Sequence, residues 1–191
     1  MSKGLYIVVT GASGAGKTTI VEAFLKETPE AARLVTNTSR TPRPGEVDGR
    51  DYNFLSREDF IARRERGEFL EWAETYGNLY GSSRIELEKL LAKRPVVFGV
   101  LDLVGARAVK KAYPECVTVF VTPDTVEELR RRLAKRPGTT PADLEKRVAA
   151  AAAEMAQAGD FDYRLVNLDG QVPEAVAALR GIIEKAGGRI E

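Results

Sequence analysis

The sequence predicts an α/β domain built on a mainly parallel sheet. Short apolar runs alternate with segments of helical periodicity, and the first apolar run breaks directly into a glycine-rich loop. The 191 residues, 43% apolar and 30% charged, suffice for one compact domain, or one domain carrying a mobile insert. Residues 5–9, Leu-Tyr-Ile-Val-Val, form an almost wholly apolar stretch, as expected of a central strand buried on both faces. A helix is predicted from Lys17 to about Thr28. Residues 95–101 read as a second buried strand, 117–121 as a third and 163–166 as a weaker fourth.

The later helices are well punctuated. Thr125 and Glu128 make a capping-box pattern ahead of Leu129 and Leu133. Thr140 followed by Pro141 opens another helix, in which Leu144, Val148, Ala151, Ala152 and Met155 recur at helical spacing. Pro173 opens a last helix that runs out near Gly187 and Gly188. Two regions break the alternation. Residues 36–83, rich in polar, aromatic and turn residues, read as an insert of short strands with a helix at about 57–66. Residues 135–141 read as a hinge between two helices. The core is then 1–35 and 84–191.

Composition excludes several chemistries. With no histidine, Ser-His-Asp and Cys-His nucleophiles and His-ligated metals are ruled out. The single cysteine, Cys116, allows no intrachain disulfide and reads as a small buried thiol. Lys plus Arg number 29 against 28 Asp plus Glu, so bulk charge gives no reason to expect a nucleic-acid partner. No apolar run approaches the ~20 residues of a membrane span, and no signal-like segment opens the chain, so a cytoplasmic location is expected.

Gly11-Ala12-Ser13-Gly14-Ala15-Gly16-Lys17-Thr18 fits G-x-x-x-x-G-K-[ST] in full, between a strand and a helix. Glycines let backbone N–H groups turn inward as a nest for phosphate oxygens, and the helix that starts there adds its free N–H groups. Lys17 is placed to reach the β- and γ-phosphates of ATP, the Thr18 hydroxyl to ligate Mg²⁺, and Thr19 follows in the same turn. A plain glycine-rich strand-to-helix turn is the bland alternative.

A second dense signal runs from Ser39 to Phe54, where Arg40 and Arg43, three apart and held by prolines, suit a clamp on a phosphate group. Further on, Gly67-Glu68-Phe69-Leu70-Glu71-Trp72-Ala73 precedes Gly77-Asn78-Leu79-Tyr80-Gly81-Ser82. With these stretches the sequence resembles guanylate kinase from the phosphate loop to about Asn167. The resemblance implies a three-layer P-loop core, an inserted GMP-binding region and a mobile helical lid at about 129–147. It implies transfer of phosphate from ATP, with Mg²⁺, to GMP or dGMP. Arg40, Arg43, Tyr52 and Tyr80 would hold the GMP phosphate. Thr36, Glu71, Ser82 and Asp102 would read the guanine edge, where a carboxylate answers two adjacent donors that adenine lacks.

The basic run from Leu129 to Arg136 resembles the family's lid, with Arg132, Arg136 and Arg147 as its phosphate-facing arginines; alone, such a run reads as a solvated helix face. Lys17, Arg40 and these three arginines would carry catalysis, and Asn167 would lie near the adenine of ATP. The chain departs from the family at Val100 and Val104, where an Asp and a Gln are usual, and at Pro137 in the lid. Two other readings remain open: a P-loop kinase with another small phosphorylated acceptor, and a non-catalytic interaction module. A monomer or small homo-oligomer is expected.

Overall fold

A computed structural model of the chain describes residues 4–75, 77–135 and 140–190. The first half runs β1 (Leu5–Gly11), α1 (Lys17–Glu27), β2 (Ala32–Arg33), β3 (Asn37–Thr38), β4 (Asn53–Phe54), α2 (Arg57–Glu65), β5 (Phe69–Thr75), β6 (Asn78–Ser83) and α3 (Arg84–Leu91). The second runs β7 (Val96–Val100), α4 (Leu103–Ala112), β8 (Val117–Thr122), α5 (Val126–Ala134), α6 (Pro141–Met155), a 3-10 turn at Ala158–Asp160, β9 (Tyr163–Val166) and α7 (Val172–Lys185).

The larger sheet has the order β2-β7-β1-β8-β9, with every pair parallel. Side chains alternate across β1. Ile7 and Val9 join Phe24 of α1 and Leu179 and Ile183 of α7 in one core. Tyr6 and Val8 join Leu87 and Leu91 of α3 and Ala106 and Val109 of α4 in the other. Helices therefore cover both faces, and the four β1 side chains from Tyr6 to Val9 are almost wholly buried. This burial explains why the strand reads as continuously apolar rather than alternating.

The loop after β1 opens at the carboxyl end of the central strand, where β7 lies on one side and β8 on the other. In open parallel sheets this crevice is where ligands bind. The insert folds around a second sheet, β4-β3-β6-β5, in which β3 pairs parallel with β4 and antiparallel with β6. It has its own small core of Phe60, Phe69 and Leu79, with the two phenylalanine rings stacked 4.4 Å apart.

Three core elements have no counterpart in the sequence reading. The two-residue strand β2 is too short to carry an alternation pattern. In α3 the signal was present, because Ser83 and Glu86 form the S-x-x-E pattern and the Ser83 hydroxyl accepts from the Glu86 amide at 3.3 Å. In α4 the cap is Asp102, whose Oδ1 accepts from the Gly105 amide at 2.8 Å. Of the expected hinge, residues 136–139 lie outside the described residues, Arg136 and Pro137 among them. On its far side Thr140 caps α6, its hydroxyl accepting from the Asp143 amide at 3.2 Å.

Candidate active site

The phosphate loop is shaped by positive φ angles at Gly11, Gly14 and Gly16, of 132°, 87° and 93°. At Gly16 glycine is required twice over. Its backbone is left-handed, and a Cβ there would stand 2.3 Å from the Asn167 side-chain nitrogen. Gly16 also N-caps α1 with no side-chain cap, so the first-turn N–H groups are left to a ligand. The Lys17 ammonium donates to the Gly11 and Ala12 carbonyls at 2.6 and 3.0 Å, which holds it across the loop. Ser13, Gly14, Gly16, Lys17, Thr18, Thr19 and Arg132 line a cavity of about 380 Å³.

A second cavity, of about 400 Å³, opens between the core and the insert. Thr36, Arg40, Arg43, Tyr52, Glu71, Tyr80 and Asp102 line it, together with Val100, Leu101 and Ser13. Ser13 thus borders both cavities. Seven of the eight residues expected to bind GMP share this wall. The eighth, Ser82, lies behind it, 1% exposed, and donates to Glu71 Oε1 at 2.7 Å.

Glu71, on β5, is only 8% exposed. Burial pushes its pKa up to about 7, with Asp102 nearby adding to the rise and the Ser82 hydroxyl working against it. The buried site therefore holds this carboxyl well above the ordinary carboxylate range. Oxygen Oδ1 of Asp102 is committed to the α4 cap, so its structural role accompanies its place in the cavity wall.

At the other end of the cavity, Arg40 donates from one nitrogen to both oxygens of Glu46 at 2.9 Å and from another to the Thr41 carbonyl at 2.7 Å. Its guanidinium lies 5.4 Å from the Tyr52 ring centre and 5.9 Å from that of Phe54. Partial burial opposes the Arg40 charge, but Glu46 and Tyr80 outweigh it and raise its pKa. Glu46 also accepts from the Arg43 amide at 2.7 Å, so one carboxylate fixes both arginine-bearing turns.

Arg132 on α5 reaches the other cavity. It donates to Glu128 at 2.7 Å, to the Asn167 carbonyl at 2.8 Å and to the Ala15 carbonyl at 3.4 Å. The Asn167 side chain in turn donates to the Ala15 carbonyl at 2.7 Å. The helix expected as the lid is thereby tied to the phosphate loop and to the end of β9. Arg147 is exposed on α6 and stands in neither cavity wall.

The family model for guanylate kinase matches residues 3–186. The guanylate kinase of Symbiobacterium thermophilum is 48% identical over 186 residues, covering 96% of this chain and 87% of the relative. That of Rubrobacter xylanophilus is 43% identical, covering 98% of each. The crystal structure of guanylate kinase from Anaplasma phagocytophilum superposes with a TM-score of 0.76 at 29% identity, covering 97% of this chain and 87% of that one. The chain belongs to the guanylate kinase family. Its activity is ATP-dependent phosphorylation of GMP.

Three carboxylates of this guanylate kinase were not singled out as site residues from the sequence. Glu46 stands inside the arginine motif, and its role needs the turn that brings it back onto Arg40. Glu128, 5% exposed, pairs with Arg131 and Arg132, an i,i+3 and i,i+4 pattern that was legible. Glu154 of α6 accepts from the Ser13 amide at 3.2 Å, a contact between residues 141 apart that no local pattern announces.

Proposed function

We propose that this guanylate kinase transfers the γ-phosphoryl group of ATP, held by the phosphate loop, to the phosphate of GMP or dGMP held in the cavity walled by Glu71 and Arg40. The observation that carries the assignment is the junction at Ser13, where an anion-binding loop and a cavity with a buried carboxylate at one end and arginines at the other share a wall. Guanine presents two adjacent N–H donors to Glu71, with Thr36 and Asp102 beside it and Ser82 holding the carboxylate from behind. The acceptor phosphate is taken by Arg40, Arg43, Tyr52 and Tyr80. A base lacking those donors would leave a buried carboxylate without partners, which is the source of selectivity.

The phosphate of GMP is itself the nucleophile, so no general base is required. Catalysis then rests on positioning and on charge stabilisation by Lys17, the loop amides and Arg132, with Arg136 and Arg147 proposed for the same role on the resemblance alone. For Mg²⁺ the fit is to oxygen donors. Thr18 is exposed and lines the loop cavity, and no group of three or more His, Cys, Asp or Glu side chains that could hold a metal ion occurs among the described residues. Thr18, with phosphate oxygens and water, would hold the ion, which supplies neutralisation of phosphate charge. We place the protein in the cytoplasm, acting on small nucleotides as a monomer or small homo-oligomer. Among the described residues no helix is long and apolar enough to cross a membrane.

The test is ADP release from ATP and Mg²⁺ with GMP, dGMP, AMP, CMP, UMP and dTMP as acceptors. Turnover confined to GMP and dGMP is expected. Comparable turnover with any other of the six would overturn the guanine-pocket assignment.

A further inference from the structure

One N–H group of the phosphate loop is held by a carboxylate of the same chain. The Ser13 amide donates to Glu154 Oε2 at 3.2 Å, although the two residues lie 141 apart. Glu154 stands near the C-terminal end of α6, three residues after the buried Ala151 and one before Met155, which packs against the main core. That spacing sets it at the edge of the buried stripe, on the side of the helix that meets the loop. The neighbouring helix covers the loop as well, since a Cβ on Gly14 would stand 3.1 Å from the Leu133 side chain of α5. Arg130 of α5 donates to Glu145 of α6 at 2.6 Å, so the two helices meet the loop as a tied pair.

An anion at the Ser13 amide occupies a particular place. Ser13 borders both the loop cavity and the acceptor cavity, so a group bound there stands on the path of the transferred phosphoryl group. A backbone amide has one proton to donate, and a carboxylate oxygen and a phosphoryl oxygen cannot both take it. Two like charges held within about 4 Å also repel, most strongly where the walls exclude water. Glu154 thus presents to the loop the same chemistry as the ligand, an oxyanion, and one must leave for the other to bind. Its setting suits departure. Glu128, 5% exposed and paired with Arg131 and Arg132, is built in as a permanent partner. Glu154 is only partly buried and makes its loop contact at the surface, so a side-chain rotation returns its charge to water at little cost.

We infer that Glu154 is an internal competitor for the γ-phosphoryl position: its carboxylate holds the Ser13 amide, is expelled when a nucleoside triphosphate binds, and so keeps affinity for the triphosphate below what the loop alone would give. The inference rests on the reading of the loop as the ATP site and of Ser13 as its junction with the acceptor cavity. A nucleoside diphosphate ends one phosphoryl group short of Ser13 and is spared most of the competition. Glu154 therefore narrows the margin by which the loop prefers the donor over its spent product, and it returns to the amide once the phosphoryl group has left. It acts by giving way, so it is not a catalytic residue.

Glu154→Gln keeps the length of the side chain and removes its charge; Glu154→Ala removes the acceptor as well. Both replacements are good helix formers, so neither threatens α6. Calorimetric titration with ATP and with ADP, each in the presence of Mg²⁺, gives the readout. Both variants should bind ATP roughly three- to tenfold more tightly than the wild type, with ADP affinity within about twofold. KM for ATP should fall in step. An ATP affinity unchanged or weakened in either variant would make Glu154 a brace of the loop and overturn the inference. An equal gain for ATP and ADP would overturn it too, because that marks a diffuse charge effect and not competition at one amide. Gly16→Ala is titrated beside them. If that loop variant binds ATP as the wild type does, the reading of the loop as the donor site fails; if it binds ATP weakly while the Glu154 variants match the wild type, only the role of Glu154 fails.

Discussion

Replacing Glu71 with Gln separates what this residue does for binding from what it costs in stability. Burial pushes its pKa from an ordinary 4.5 to about 7. The folded protein therefore holds a proton on Glu71 between those two values while the unfolded chain does not. Stability from this group is greatest below about 4.5 and is lost as pH rises through about 7. The difference corresponds to roughly 3 kcal/mol. Glutamine has no charge to bury, so the variant should match the wild type near pH 5 and exceed it near pH 8 by up to about 3 kcal/mol. Binding should move the other way. A charged acceptor bond contributes about 1.5–3 kcal/mol, and an amide offers one oxygen where the carboxylate offers two. GMP affinity should therefore fall roughly 10²-fold, with ATP affinity unchanged. Urea unfolding of both proteins at the two pH values, with GMP titrations, reads both effects. An equal stability difference at both pH values would refute the burial argument, and GMP affinity within twofold of wild type would refute the contact.

Four further outcomes follow from the geometry. Lys17→Ala removes the ammonium that crosses the loop to the Gly11 and Ala12 carbonyls, and should lower kcat by roughly 10³-fold while GMP still binds in a direct titration. Gly16→Ala places a methyl 2.3 Å from the Asn167 amide on a left-handed backbone; ATP affinity should fall at least tenfold and the melting temperature should drop. Burial pushes the Cys116 thiol up to about 11, so alkylation at neutral pH should be slow in the native protein and fast in urea, as mass spectrometry would show. Glu46→Gln removes the charge that pairs with Arg40, and should weaken GMP more than it weakens guanosine, because the loss falls at the phosphate end of the cavity.

The parts of the fold legible from sequence are those written in local chemistry. Residues 5–18 declare a buried strand, a nest of glycines and a helix start within one stretch, and the structure has β1, the loop and α1 in that order. Thr125 and Thr140 announce α5 and α6 because their hydroxyls accept the amides three residues on. Asp102 shows where this kind of reading stops. A carboxylate beside a suspected base pocket invites a ligand role, but in the fold one oxygen is used to begin α4. Glu154, on the Ser13 amide, and Asn167, on the Ala15 carbonyl, depend on packing between elements far apart in the chain. Such pairs leave no periodicity and no motif, so only the folded arrangement reveals them.

Two of the anion-facing arginines, Arg40 and Arg132, are each held by a carboxylate. Arg40 is clasped by Glu46, and Arg132 by Glu128. These pairs need not compete with phosphate. A guanidinium carries five N–H donors in a fixed fork, and a carboxylate can occupy one edge while another faces the cavity. In each case a backbone carbonyl takes part of the remainder: Thr41 for Arg40, and Ala15 and Asn167 for Arg132. Those carbonyl acceptors are uncharged, so exchanging them for an anionic phosphate oxygen costs less than breaking an ion pair. The carboxylate has meanwhile immobilised a long side chain whose rotamer entropy would otherwise be lost on binding. Both clamps are therefore preorganised by a buried or half-buried acid, and removing either acid should weaken phosphate binding even though it removes a negative charge. Simple electrostatics predicts the opposite sign, which makes Glu128→Gln, read through ATP affinity, the sharper test of the two.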